Sequence, residues 1–301
     1  MRYIAQRVKL IIASPQQAAA RDALTHTAWG TPLTVDQFQA REHALRSHRW
    51  SRAVMTTWLW VDAADQVLSS CETFQMPSQC SSGRGVTFAI ASVFTEPSLR
   101  GRGAAEAMLS ALHARLRGWA GAQAAVLFSE IGPTLYARLG YRGIPSVDVL
   151  FEPSAETPTG LEWGLRLPGP DTPAPEALQI AITADQLDWH HERSRFYARA
   201  LGRVLPAQWG ASCGDGSIGW TANFRTNELM VLFTRGSPAE LRVLIRAASW
   251  VAGSVGLGRV RVWQTTPLEG GERVAREDLP MICSLGAAFE TWSPIDRALW
   301  V

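Results

Sequence analysis

The segment "VFTEPSLRGRGAAEAMLSALHARL", residues 93–116, constrains the fold more than any other stretch of the chain. The run just before and into it, "TFAIASVF", is short, apolar and rich in β-branched and aromatic residues, which predicts a buried strand ending near Pro97. Downstream, Ala105, Met108, Leu109, Leu112, Leu116 and Trp119 fall on one helical face, and Glu106, Ser110, His113 and Arg117 on the other. A glycine-punctuated pair of arginines therefore joins a strand to a helix N-terminus. A loop of small residues there exposes backbone N–H groups that have no intrahelical partner, and the helix dipole adds partial positive charge. Such a site suits a phosphate or pyrophosphate. The common nucleotide motifs fail residue by residue. A P-loop needs Gly-Lys-Ser/Thr, whereas Ala104, Ala105 and Glu106 follow Gly103. A dinucleotide fingerprint needs a third glycine where Glu106 stands.

Around this loop, strand and helix patterns alternate. "RVKLIIAS" reads as a strand, "PQQAAARDALTHTAW" as a helix, and "TVDQFQAREHALRSH" as a second helix opened by a capping box, Thr34 with Gln37. Three strand-like runs follow, "AVMTTWLWV", "QVLSSCETF" and "GVTFAIASVFT", separated by the turn-rich "DAAD" and "MPSQCSSGRG". After the long helix come the strand "AAVLFSE", the short helix "GPTLYARLG" and "YRGIPSVDVLF". Six prolines between Pro153 and Pro175 have the composition of a linker. A second unit then opens with another capping-box pattern, Thr183 with Gln186, and continues through a hairpin around "RTN", the helix "SPAELRVLIRAASWVAG" and the strand "RVRVWQT". The chain is long enough for two cores. The expected class is α/β (α+β), with a mixed central sheet over residues 1–152, a linker over 153–179 and a second α+β unit over 180–301.

Composition removes several function classes. The net charge is +2, and the 29 basic side chains, of which only Lys9 is lysine, are too dispersed to form a nucleic-acid stripe. Cys71, Cys80, Cys213 and Cys283 have neither CxxC spacing nor a neighbouring His cluster, so neither a metal site nor a disulfide framework is expected. His190 and His191 are adjacent and do not share a helix face, which makes them poor chelators; one reads as surface and one as packing. Asp185, Asp188 and Trp189 share a face that suits an ammonium or, more simply, solvent beside a core tryptophan. No window has the apolar length of a membrane span or signal sequence, so reduced thiols, a cytoplasmic setting and a monomer or homodimer are the expectation. Some of the 13 tryptophans are expected to line a substrate cleft.

What remains in the loop is Arg100-x-x-Gly103-x-Ala105, and here "TEPSLRGRGAAEAML" resembles the acetyl-CoA pyrophosphate loop, Q/R-x-x-G-x-G/A, of the GNAT N-acetyltransferase superfamily. "TLYARLGYR" resembles the last helix and strand of that superfamily, with Tyr136, Gly140 and Tyr141 at the matching positions. The resemblance narrows with "AWGTPLTVDQFQAREHAL", "SSCETF", "LFSEIGPTLYARLGY", "LDWHHERSRFY" and "LPMI" through "WSPIDRALWV", which together are similar to the fungal lysine N6-acetyltransferase group over nearly the whole chain. That group acetylates free lysine. Ala105 departs from the glycine of many GNATs, and Glu130 stands where the narrower group is expected to carry aspartate.

The resemblance implies a GNAT fold, acetyl-CoA as cosubstrate and a small-molecule amine acceptor; a protein or aminoglycoside amine, or a non-catalytic acetyl-CoA-binding module, are the alternatives. By the same resemblance, Arg100, Gly101, Arg102, Gly103, Ala104 and Ala105 bind the pyrophosphate, Val93 and Thr95 pair with the pantetheine arm, and Tyr136 protonates the departing thiolate. A lysine amine of pKa about 10.4 must lose a proton before it attacks, which at pH 7 costs about 4.6 kcal/mol. Glu130, at the C-terminal end of a strand where open α/β sheets put their ligands, is the first candidate to assist. Glu72 and Thr73 on a neighbouring strand, or a water chain, are alternatives. No cysteine sits beside a histidine in either motif, so direct transfer without an acyl-enzyme is expected. The apolar end, Trp300 and Val301, is expected to dock. A terminus packed on the surface for stability alone is the simpler reading; by resemblance to longer two-domain GNATs of mycobacteria, the alternative is a Val301 carboxylate near Tyr136 that accepts the amine proton or anchors the substrate ammonium.

Overall fold

The computed structural model describes residues 8–168, 176–263, 268–276 and 278–301, so the first seven residues and the expected linker residues 169–175 lie outside the described residues. The first half runs β1 (Lys9–Ile12), α1 (Pro15–Trp29), α2 (Val35–Ser47), α3 (Arg49–Val54), β2 (Met55–Val61), β3 (Val67–Cys80), β4 (Gly83–Phe94), α4 (Ala104–Arg117), β5 (Ala122–Ser129), α5 (Thr134–Arg138), β6 (Arg142–Gly143) and β7 (Val147–Phe151). The second half runs β8 (Glu162–Trp163), β9 (Ala177–Ile180), α6 (Ala184–Leu201), β10 (Gly210–Cys213), β11 (Gly216–Asn223), β12 (Glu228–Arg235), α7 (Pro238–Ser254), β13 (Arg259–Trp263), β14 (Glu272–Ala275), β15 (Leu279–Ser284) and β16 (Thr291–Trp292).

Local chemistry sets the helix starts. Ser14, Thr34 and Ser237 each accept from the backbone N–H three residues on, while Gln17, Gln37 and Glu240 reach back to the cap. The pattern at Thr183 closes only halfway. Thr183 accepts from the Gln186 N–H, but the Gln186 side chain donates to Ala298 O at 2.8 Å, tying α6 to the end of the chain. β3 overruns the expected turn: buried Met76, Ser78 and Cys80 alternate with exposed Pro77 and Gln79, so the strand period of two carries through the proline to Cys80.

The first sheet has the order β1-β2-β3-β4-β5-β15-β6, with β9 on β3 beyond β2 and β16 on β9. The β4–β5 pair is parallel and its neighbours are antiparallel, which makes the central sheet mixed, as expected. The second sheet has the order β14-β7-β13-β12-β11-β10-β8. The two sheets exchange strands across residue 152. β7, expected in the first unit, pairs with β13 and β14, and β15, expected in the second, lies between β5 and β6.

Both faces of the first sheet are buried, and alternation divides its side chains between them. β5 sends Ala125 and Leu127 to one face and Ala124 and Val126 to the other; β15 does the same with Met281 and Cys283 against Ile282. Met108, Leu109, Leu112 and Leu116 of α4 cover the first face, each stabilised by about 1.5–3 kcal/mol on leaving water. Leu45, Trp50, Trp189, Trp292 and Leu299 cover the second, so α2, α3, α6 and the last residues all pack there. Two expectations for α4 are corrected. Trp119 lies beyond the helix, about half exposed with its edge toward Phe88, and His113 is buried because its imidazole meets the Tyr141 hydroxyl at 2.8 Å.

Candidate active site

β4 and β5 pair from Val86 and Ala122 to Ala89 and Val126 and then part. β4 stays with β3 as far as Phe94, and β5 stays with β15 as far as Ser129, so the facing edges of residues 90–94 and 127–129 have no strand between them. Such an edge presents backbone N–H and C=O groups to an extended ligand. Ser92 adds a bulge: its φ is 52°, and Cys71 of β3 stands opposite both Ser92 and Val93.

A cavity of about 260 Å³ opens where the strands part. Val93, Glu130 and Tyr136, all expected at the site, line it, and so does Glu72. Trp29, Trp189 and Trp300 supply aromatic wall, and Val301 also reaches it. Thr73 does not line it; its hydroxyl accepts from the Trp58 indole N–H at 2.9 Å.

Arg21 of α1 organises this end of the sheet. It donates to Ser70 Oγ at 2.9 Å, to Glu72 Oε1 at 3.0 Å and to the bulge carbonyl of Ser92 at 2.8 Å. Glu72 is thereby buried as half of an ion pair. Beside it, Arg41 binds Glu42 and the Tyr197 hydroxyl. Burial pushes the Glu42 carboxyl up, but Arg41, with Arg193 and Arg21 behind it, outweighs that and holds it below its ordinary value. Tyr136 is 6% exposed, and burial first, then Cys71 and Glu130, pushes its hydroxyl up to about 12, so it keeps its proton at neutral pH.

The arginine loop lies just past β4. Gly101 and Gly103 have φ of 73° and 78°, which L side chains rarely adopt, and Gly103 is the N-cap of α4 without any side-chain cap. The first-turn acid, Glu106, is drawn to Arg138 of α5 at 2.9 Å. The Arg100 side chain turns back to Thr95 O at 3.0 Å, and Arg102 to Ser98 O at 3.2 Å. Thr95 Oγ1 lies 3.0 Å from Ser69 Oγ. The uncapped amides of α4 thus face outward beside the gap between the strands, an arrangement that favours an anion.

Neither adjacent histidine is at the surface, which corrects the expectation for one of them. His190 lines the cavity with Nε2 2.9 Å from Ala298 O, and His191 stacks on Trp209. Asp185 pairs with Arg49, and Asp188 with His48 and Arg195, so of that helix face only Trp189 reaches the cavity. Burial lowers His113 and His191 to about 4, and His190 well below its ordinary value. The unfolded chain binds these protons below pH about 6.5 and the folded one does not, so stability falls as pH drops from about 6.5 toward 4. Each histidine contributes up to about 1.4 kcal/mol per pH unit in that window. Urea midpoints between pH 7 and 5 test this: His191→Gln should make the dependence shallower, and an unchanged slope would remove His191 from the account.

Residues 22–144 match the family model of the acetyltransferase (GNAT) domain, and residues 170–278 match that of the LYC1 GNAT-like C-terminal domain. Residues 22–144 thus form a GNAT acetyltransferase domain, followed by a GNAT-like C-terminal domain. The chain is 23% identical to a lysine acetyltransferase of Yarrowia lipolytica over 308 aligned residues, 79% of this chain and 78% of that one. Among solved structures, it is similar to GCN5-related N-acetyltransferases from Kribbella flavida (TM-score 0.55, 16% identity, 94% of this chain and 72% of that one) and Anabaena variabilis (TM-score 0.57, 15% identity, 93% and 73%). This GNAT protein is an N-acetyltransferase with acetyl-CoA as its cosubstrate. Among its described residues, no helix is long and apolar enough to cross a membrane.

Sequence reading missed Arg21, Arg41, Arg193 and Arg297, which all line the cavity. Spacing carried a signal: Arg21 falls on the helix face of buried Ala18 and Thr25, and Arg41 on that of Phe38 and Leu45. A charged residue inside a buried stripe marks a site or an ion pair.

Proposed function

We propose that this enzyme moves the acetyl group of acetyl-CoA directly to the side-chain amine of free lysine. The single observation that carries the reading is the cavity, where strand ends parted for an extended ligand meet a recess lined by Tyr136 and Glu130. The protein's own residues fit the cosubstrate. Gly101 and Gly103 leave open space where a Cβ would stand, and the uncapped amides from Gly103 to Ala105 accept a pyrophosphate without competition from Glu106. The backbone of Val93, on the free edge of β4, and of Thr95, just past its end, extends this binding along the strand. Bound there, acetyl-CoA supplies an activated acyl group and a thiolate leaving group.

Tyr136 holds the proton that the thiolate takes up, and Glu130 accepts the proton of the attacking amine. Glu130 is exposed to the cavity, whereas the Glu72 carboxylate is occupied by Arg21, which makes it a poor base and a good orienting group. Lysine as the acceptor is supported by the name of the Yarrowia lipolytica relative and by the size of the cavity, about 260 Å³, which suits a small molecule. Comparison of kcat/KM for free lysine, for a lysine inside a blocked peptide and for an aminoglycoside tests this. Free lysine should lead by tenfold or more. Turnover of peptides or aminoglycosides alone would overturn the choice of acceptor while leaving the acetyltransferase intact.

A further inference from the structure

The charge on the cavity wall is unbalanced. Six arginines line it (Arg21, Arg41, Arg46, Arg193, Arg225 and Arg297) against three glutamates (Glu42, Glu72 and Glu130) and the last residue, Val301, which carries the terminal carboxylate. Three of the arginines have protein carboxylates to answer them: Arg21 holds Glu72, Arg41 holds Glu42, and Arg46 holds Asp22 through two bonds. Two others do not. Among the described residues, Arg193 of α6 makes no hydrogen bond or ion pair; its guanidinium lies 4.4 Å from the Trp189 ring centroid, and its Nε is shut off from solvent without a partner. Arg297 packs its guanidinium against Trp300, 3.5 Å from the ring centroid, and Trp263; among the described residues it donates only to Trp300 O, and it also has a buried Nε without a partner.

Each guanidinium thus holds a buried N–H without a partner, which is costly because that donor has lost water and gained no acceptor. They also feel each other. Burial, then Arg41, lowers Arg193 to about 10; burial lowers Arg297 to about 9 despite the favourable pull of Asp278, and Arg193 adds to that lowering. The groups that face them include Glu42 and Glu72, but neither carboxylate lies within ion-pair distance of either arginine. Guanidinium forks with free N–H groups on the wall of one cavity match a carboxylate, whose charge offsets their repulsion.

We propose that Arg193 and Arg297 together receive a carboxylate on the acceptor, so that this GNAT enzyme selects an amino acid with a free carboxyl group. The inference rests on the small-amine reading above and sharpens it: a lysine within a peptide has no carboxylate to offer, and a polycationic aminoglycoside is repelled by the net positive wall. The amine end of the same molecule is then left to Glu130 and Tyr136, which line the same cavity.

The wild-type enzyme with three acceptors, free lysine, lysinamide and 1,5-diaminopentane, provides the first test without any variant. Lysine should exceed both carboxylate-free amines by about 10- to 100-fold in kcat/KM, carried mainly by KM, as expected for one charge-assisted interaction. Arg193→Gln should raise KM for lysine by a similar factor, leave the carboxylate-free amines nearly unchanged and so erase the preference; Arg193→Lys should restore part of it. Equal wild-type use of the three amines, or an equal loss on all three in Arg193→Gln, would overturn the anchor while leaving the acceptor class standing. Failure of all three amines would overturn the small-amine reading itself.

Discussion

At a hundredfold excess over its Kd, acetyl-CoA is expected to raise the melting temperature of the wild-type protein by about 5 °C and to leave that of Gly103→Asp unmoved. The reason lies in the N-cap. An aspartate there turns its own carboxylate onto the amides that the pyrophosphate needs, so the variant fills the anion site with a covalently attached anion. Open space surrounds the new Cβ, and the cost to the free protein is the strain of φ 78°, about 1 kcal/mol. Gly103→Asn tolerates the same left-handed backbone without the charge and should keep part of the shift. Full cofactor stabilisation of the aspartate variant would exclude the loop from the cosubstrate site.

The second large effect concerns Tyr136. Replacing it by phenylalanine should lower kcat by about 10²-fold and change acetyl-CoA affinity little, because the hydroxyl acts on the leaving group and the ring does the packing. The hydroxyl, pushed up to about 12, stays protonated and able to donate throughout the neutral range. Activity should therefore show no loss of this acid up to about pH 10. Its edge-on contact with Tyr141 survives in phenylalanine, so stability should hardly move. A rate within twofold of wild type would leave Tyr136 as a packing residue only.

The strand-loop-helix unit at the cosubstrate loop was legible because each step is local: a β-branched run, two glycines and an amphipathic face follow one another in the sequence. The capping box at Thr34 is local in the same sense. What the sequence hid is non-local. Nothing in "LPMICS" says that it pairs with residues 124–129 instead of the strands beside it in the second unit, and nothing in "VDVLF" says that it leaves the first sheet for the second. Apolar strands buried on both faces carry no directional mark, so their partners are chosen by topology. The site divides in the same way. Tyr136, Glu130 and Val93 came from a motif and a strand end, and the cavity brings them together. The arginines that face them come from α1, α2, α6 and the Arg297–Leu299 turn, and converge only when these elements pack on the sheet. Gln186 shows the competition directly: its sequence position fits a helix cap, and the Ala298 carbonyl takes its side chain instead.

The most direct test of the central claim is to incubate the full chain with acetyl-CoA labelled with ¹³C in the acetyl group and with free lysine, and to follow the label by NMR while thiol release is recorded. The account predicts thiol and N6-acetyl-lysine in equal amounts, with no label left on the protein. Binding of acetyl-CoA without thiol release in the presence of lysine, or label on the protein or on the α-amine, would contradict it.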